Sequence, residues 1–539
     1  MKNDSNAMPQ EHFWAAAASD LHWSKPWDQV LDRDARPIPR WFAGGRINAA
    51  WNCVDRHVEQ GHGAQPAIIY ESPLTATSRM LTYAELRDAI ARFAGLLRAN
   101  GVALGDRVII YMPNSPEAVI AMLACARIGA IHSVVFGGFA AAELAIRIDD
   151  ARPKLIVAAS CGIEPGRVIP YQPNIDAALA AATHRIDAVI YWQREQHMAD
   201  IRPGASNGHR TVDWADAITA AQPVDCVDVD ATHPLYILYT SGTTGAPKGI
   251  VRDTGGYLTA LAWTMQAVYA IDPGTTYWAA SDVGWVVGHS YIAYGPLLNR
   301  NTTLIYEGKP FGTPDAGAFW RLIEKHKVRV FFTAPTAIRA IKQVDPAGHF
   351  IAESNLTNLQ AIFLAGERTD PGTLEWLGER IPVPVVDHWW QTETGWPICA
   401  VAQGMAPLPI KAGSTGPALP GWNVRCVDPG GLPTAEGEAG TIVIELPLPP
   451  GAAPTLWNAD DRYVSAYLDR FPGYYNTGDG GFIDEDGYVF VMSRTDDVIN
   501  VAGHRLSSSA LEEVIAAHPD VAECAVVGIP DAIKGQVPL

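Results

Sequence analysis

Apolar residues recur along the chain in two rhythms. Leu235-Tyr236-Ile237-Leu238 is a short continuous apolar run, and Asp106 to Met112, His132 to Phe136 and Lys154 to Ala158 are runs of similar kind. Such runs read as strands buried within a sheet. Around them the spacing becomes helical: Thr82-Tyr83-Ala84-Glu85 reads as a capping box opening an amphipathic helix through Leu97, and Pro116 to Ile128, Ala141 to Asp149 and Leu258, Leu261, Met265, Val268 read as further helices. Strands alternating with helices predict a parallel sheet covered on both faces, hence an α/β fold. After a more polar connection, Gln193 to Asp230, the alternation resumes with strands at Thr303 to Tyr306, Val328 to Phe332, Ala361 to Leu364 and Val383 to Asp387.

The two ends differ in texture. Met1 to Ala7 read as an artificial leader before a second start at Met8, and Glu11 to Asp55 as an irregular, Trp- and Pro-rich segment wrapped on a larger body. Beyond Gly413 short strands and turns such as Gly440 to Glu445 suggest a smaller β unit. A final piece follows Arg494-Thr495-Asp496-Asp497, with a helix at Ala510 to Ala517 and a strand at Cys524 to Gly528. The expected division is a leader at 1–7, a wrapping segment at 8–80, an α/β core at 81–412, a β-rich part at 413–493, a hinge at 494–497 and a last domain at 498–539.

Bulk properties narrow the function classes. At 539 residues the chain exceeds one core, and roughly three or four packing units are expected. A net charge of −18 argues against a polyanion-binding surface, so nucleic acid is not expected as a partner. Seven cysteines without a CxxC pair fit a reducing, cytoplasmic compartment better than a disulfide framework or a zinc site. No apolar run is long enough to cross a bilayer, so no membrane role is expected.

The chemistry concentrates at strand ends. Tyr239-Thr240-Ser241-Gly242-Thr243-Thr244-Gly245-Ala246-Pro247-Lys248-Gly249 follows the apolar run at Leu235 and reads as a loop. Its glycines let backbone approach a ligand, while hydroxyls, N–H groups and an ammonium offer donors to phosphate. Lys248 is followed by Gly249, so this is not a Walker A loop, and a flexible Ser/Thr/Gly linker is the competing reading. Gly366-Glu367-Arg368 and Asp387-His388-Trp389-Trp390-Gln391-Thr392-Glu393-Thr394-Gly395 follow later strands, and Tyr475-Asn476-Thr477-Gly478-Asp479-Gly480 supplies a carboxylate in what reads as a tight turn. In open α/β sheets ligands sit at the carboxyl ends of strands, so these clusters are expected to converge. Gly137-Gly138 reads as a plain turn.

Tyr239 to Gly249, Trp389-Trp390-Gln391-Thr392-Glu393-Thr394-Gly395, Thr477-Gly478-Asp479, Arg494 to Asp497 and Gly503-His504-Arg505 together resemble the adenylate-forming superfamily. Within it the chain is similar to short-chain acyl-CoA synthetases, nearest to the propionate-activating kind. The resemblance implies a large N-terminal domain of two doubly covered sheets plus a small β unit, and an incomplete small α+β C-terminal domain. It implies ATP, Mg2+ and CoA as cofactors, AMP or acyl-AMP as bound intermediate, and a two-step activation of a small carboxylate. Thr240, Lys248, Thr392, Glu393 and Arg494 take catalytic roles by this resemblance, with Glu393 on Mg2+. Nucleotide binding falls to Ser241, Gly242, Thr243, Thr244, Gly366, Glu367, Arg368, Asp387, His388, Trp389, Gln391, Asp479 and Arg505, with Thr392 and Arg494 contributing again. Asp479 accepts the ribose diol. Val286, Val287, Ala365 and Trp390 line the acyl pocket. Trp390 as floor and the small Ala365 imply propionate ahead of acetate.

The same resemblance places Arg167, Gly138, Ala502 and Gly503 towards CoA, and Asp496 at the hinge between the two half-reactions. It also expects an adenylation lysine further along a complete C-terminal domain than Leu539. The chain therefore reads as truncated and impaired in adenylation. The alternatives are an acetate-activating enzyme, a nucleotide-binding form without turnover, and an adenylation domain serving a carrier protein. Oligomeric state is not legible.

Overall fold

Two seven-stranded sheets carry most of the chain. The computed structural model describes residues 10–137, 139–202, 209–240, 247–495, 498–501, 504–507, 511, 515, 526–531 and 535–539. In the first sheet the spatial order is Arg210–Asp213, Ala188–Trp192, Leu155–Ala159, Arg107–Met112, Ile131–Phe136, Pro234–Thr240 and Lys248–Asp253. All its pairs are parallel except the last, in which Thr240 faces Lys248. The second sheet runs Val385–Asp387, Ala361–Leu364, Val328–Thr333, Thr276–Ala279, Thr302–Tyr306, Pro66–Ser72 and Thr77–Thr82, again parallel except for its last pair. Val424–Val427, Gly440–Glu445, Tyr474–Ile483 and Val489–Arg494 form a four-stranded antiparallel sheet, and a second such sheet holds the strands after Val498. The α/β architecture with an added β unit is the one expected.

Local chemistry explains why the elements start where they do. The Thr82 side chain accepts from the Glu85 N–H and the Glu85 carboxylate accepts from the Thr82 N–H, so the capping box is formed at the head of helix Tyr83–Ala99. Leu86, Ile90, Phe93 and Leu97 then line its buried side. Helix Pro116–Arg127 is buried on every side, which is why its apolar residues run almost without interruption.

Three expectations change. The N-terminal segment is wrapped on the body but opens on a regular helix, Gln10–Ala18, whose Trp14 packs edge-on against Trp263 and Trp396. The polar connection after Gln193 contains strand Arg210–Asp213 and helix Trp214–Ala220; the strand pairs on one side only and none of its residues is fully buried, which explains its polar sequence. Lys248 is not in a loop but begins strand Lys248–Asp253. That strand's outer edge is covered, because the Val251 N–H donates to Thr455 O at 3.2 Å and the Trp457 N–H to Gly249 O at 2.7 Å. The expected helix at Ala510 to Ala517 and strand at Cys524 lie largely outside the described residues.

A buried ion pair ties the two large sheets together. Arg194, just past strand Ala188–Trp192, donates to both oxygens of Glu307, just past strand Thr302–Tyr306, at 2.8 and 2.9 Å. Tyr70 and Ser72 from the second sheet donate to the same carboxylate at 2.6 and 2.9 Å. The two charged side chains are only 4% and 6% exposed.

Candidate active site

Strand Lys248–Asp253 alternates its side chains, so Lys248, Ile250 and Arg252 share one face. The Lys248 ammonium lies 4.7 Å above the Tyr467 ring and 3.3 Å from its hydroxyl. That hydroxyl donates to Glu393 Oε1 at 2.6 Å. Tyr467 ends helix Asp460–Tyr467 and stacks on Tyr475 at 5.3 Å, which fixes its ring. Burial and the Glu393 charge push the Tyr467 hydroxyl well above its usual range, so it stays a donor. Glu393 thus offers a half-buried carboxylate with one oxygen engaged, a donor that suits a hard divalent cation.

A second cluster surrounds Asp479. Asp479 Oδ2 accepts from Gln391 Nε2 at 2.6 Å and from Trp389 Nε1 at 3.2 Å, and Arg494 stands 3.5 Å from Oδ1. The residue lies inside strand Tyr474–Ile483, not in the tight turn read from its glycines. The strand pairing slips between Ile442 and Val443 and between Gly480 and Gly481. Such irregularities re-aim a side chain without ending the strand. Arg494 pairs directly across from Asp479 and also donates to Thr477 O at 3.2 Å.

Beneath the clusters, strand Val385–Asp387 ends in two buried titratable groups. Burial pushes the Asp387 carboxyl up to about 7, against a smaller opposing effect from the Thr369 N–H. Burial pushes the His388 imidazole down to about 4, although it bonds Leu364 O at 2.7 Å and the Tyr269 hydroxyl at 3.1 Å. The two groups affect stability in opposite senses. Between about pH 4 and 6.5 the folded chain holds a proton on Asp387 that the unfolded chain has lost, which makes stability fall as pH rises. Over the same window the unfolded chain holds a proton on His388 that the folded chain lacks, which makes stability rise. Asp387→Asn is therefore expected to make the pH slope of unfolding free energy more positive than wild type by up to about 1.4 kcal/mol per pH unit. His388→Gln is expected to make it more negative, and urea titrations at several pH values across the window check both signs.

The apolar residues expected to line an acyl pocket all belong to, or pack against, the main core that runs from Trp14 to Val489. Ala365 is buried, and Val286, Val287 and Trp390 pack half-buried against the same cluster. Val286 and Val287 open the short helix Val286–Gly288. The Trp390 indole meets Tyr291 edge-on at 5.5 Å and leans on Phe332 at 6.3 Å. Gly366 stands at the end of the neighbouring strand, and a Cβ there would meet nothing within 4 Å, so this side of the site is open.

A family model described as AMP-binding enzyme matches residues 54–449. The chain belongs to this family, as an acyl-CoA synthetase. Acetyl-coenzyme A synthetase N-terminus matches residues 3–53, and AMP-binding enzyme C-terminal domain matches residues 510–539. Propionate–CoA ligase of Escherichia coli K12 is 46% identical over 533 residues, covering 98% of this chain and 83% of the relative. The human mitochondrial acyl-CoA synthetase short-chain family member 3 is 51% identical over 534 residues, covering 98% and 77%. The solved acetoacetyl-CoA synthetase from Streptomyces lividans superposes with a TM-score of 0.86 at 27% identity, covering 96% of this chain and 78% of that one.

Placed in this acyl-CoA synthetase, the expected site residues divide. Lys248, Glu393, Gln391, Trp389, Asp479 and Arg494 are linked through the two clusters above. His388 is turned into the core rather than towards solvent, and Glu367 faces outward, accepting from Arg339 at 2.7 Å. Arg167 lies on an exposed hairpin formed with Cys161–Glu164. Ser241, Gly242, Thr243, Thr244, Gly138, Asp496, Ala502 and Gly503 lie outside the described residues, as does the Arg505 side chain. Sequence reading missed Tyr467 and Arg252. A tyrosine pair at Tyr463 and Tyr467, four apart on one helix face, and a lone arginine in the run Ile250-Val251-Arg252 were the available signals.

Proposed function

We propose that this acyl-CoA synthetase activates propionate in preference to acetate. The carboxylate attacks the α-phosphorus of ATP, giving acyl-AMP and pyrophosphate, and the CoA thiol then displaces AMP. Two anions must be brought together, so positioning and charge neutralisation supply most of the acceleration. In this reading Lys248 and the residues from Thr240 to Thr244 hold the departing pyrophosphate, and Thr392 contacts the α-phosphate. Asp479, oriented by Gln391 and Trp389, accepts the ribose hydroxyls, while Arg494 adds fixed positive charge beside ribose and phosphate. Glu393 would hold Mg2+, which when bound supplies charge neutralisation on the triphosphate.

The observation that carries the acid preference is the seating of Trp390. Its indole is braced by Tyr291 and Phe332, so it cannot swing aside at little cost, and a braced indole closes a pocket to long chains. The small side chain of Ala365 is expected to leave room for one methylene beyond acetate. A methylene in a fitted pocket is worth about 1–3 kcal/mol, so kcat/KM for propionate is expected to exceed that for acetate about 10- to 200-fold, with butyrate below both. Steady-state thioester formation with the three acids, measured on full-length protein, tests this, and equal values for all three would remove the reading. Trp390→Ala is expected to lower kcat/KM for propionate and raise it for hexanoate at least about tenfold. The propionate activity of the Escherichia coli relative supports the same choice.

A further inference from the structure

Arg252 is fully buried four residues along the strand from Lys248, on the same face. Its guanidinium binds main-chain carbonyls from two separate segments. Nη1 donates to Glu393 O at 2.9 Å and to Gly451 O, Nη2 donates to Thr392 O, and Nε donates to the Tyr236 hydroxyl at 3.2 Å. The rings of Tyr236 and Tyr257 flank it at 5.8 and 5.5 Å. The Ala453 N–H donates to the same Glu393 carbonyl at 2.8 Å, so that oxygen is fixed from two directions. Gly395 has φ +76°, and a Cβ there would come within 2.7 Å of the guanidinium carbon, so the segment after Glu393 closes directly over the charge.

A buried charge costs several kcal/mol to desolvate, and filling the same space with an apolar side chain would avoid that cost. What the guanidinium does that an apolar residue cannot is bind the carbonyls of Thr392, Glu393 and Gly451 at once. The Gly451 segment leads into helix Asp460–Tyr467, which delivers Tyr467 between Lys248 and Glu393. Arg252 therefore joins the strand of Lys248, the segment of Glu393 and the approach to Tyr467. We propose that Arg252 is a positioning residue that sets the Thr392–Glu393 main chain opposite Lys248 for a metal-bound triphosphate. This rests on the reading of Glu393 as a cation ligand and Lys248 as a phosphate contact.

Calorimetric titration of the chain with ATP, with and without Mg2+, and with AMP tests the proposal. AMP needs the Asp479 cluster but not the cation, so it reports folding and nucleotide binding independently. In Arg252→Lys the Mg2+-dependent gain in ATP affinity is expected to fall about tenfold or more, the usual loss when a ligand's outer support is removed, while AMP affinity stays within about twofold. Tyr236→Phe, which removes the acceptor of Nε and a hydrogen bond with Tyr257 but leaves the three carbonyl contacts of the guanidinium, is expected to give a smaller loss of the same kind and serves if Arg252→Lys does not fold. Glu393→Gln separates the two levels. If it keeps the Mg2+-dependent gain, the cation reading itself falls and the proposal with it. If Glu393→Gln loses the gain while Arg252→Lys and Tyr236→Phe keep it, or if their AMP affinity falls in step with that for ATP, the positioning role is overturned and the cation reading stands.

Discussion

Asp479→Ala is expected to weaken AMP binding by about a hundredfold or more, and this is among the largest single effects anticipated in the site. Hydrogen bonds to a charged acceptor contribute roughly 1.5–3 kcal/mol each, and a ribose diol would make two to one carboxylate. Two bonds at the low end already give about 3 kcal/mol, hence the hundredfold. The carboxylate is pre-aimed, with Gln391 at 2.6 Å and Trp389 at 3.2 Å on the same oxygen, so little ordering is left to the moment of binding. Gln391→Ala is expected to cost less, because Trp389 still orients Asp479. Calorimetric titration with AMP checks both, and a change below about threefold for Asp479→Ala would remove the ribose assignment.

The second large effect concerns stability. Breaking a buried ion pair by deleting one partner costs about 3–5 kcal/mol, because the other charge is left uncompensated. Glu307→Ala strands Arg194 in a setting where it is 4% exposed, and it also removes the acceptor of Tyr70 and Ser72. A loss at the upper end of that range is therefore expected, read as a lowered urea midpoint. Replacing both charges, Arg194→Met with Glu307→Leu, is expected to cost clearly less than Glu307→Ala alone, since no buried charge remains. If the double variant were the less stable of the two, the ion pair would be contributing net attraction beyond its desolvation cost.

Much of the fold was legible because parallel strands covered on both faces are continuous apolar runs, as at Leu155–Ala159 and Ala361–Leu364. Strand Lys248–Asp253 was hidden because it is bounded by charges and carries Arg252 in its interior. Burial of that arginine depends on carbonyls some 140 to 199 residues away in sequence, which no local pattern contains. Asp479 was found by its motif but misplaced by its glycines, which mark irregular pairing within a strand and not a reversal. Tyr467 was invisible for the same reason as Arg252: its partners Lys248 and Glu393 are brought to it by the fold. The residues that touch ligand in such a site announce themselves by type, whereas those that aim them are recognisable only by their contacts.

The segment from Thr455 to Trp457, bonded along the outside of strand Lys248–Asp253, has a consequence beyond the site. The end strand of a large sheet ordinarily presents a row of free amides and carbonyls that another copy can extend. Here strand Lys248–Asp253 is already occupied on that side by its own chain. Intermolecular strand addition, a common route from a partly opened α/β sheet to aggregates, has no template at this edge while Thr455 to Trp457 stay docked.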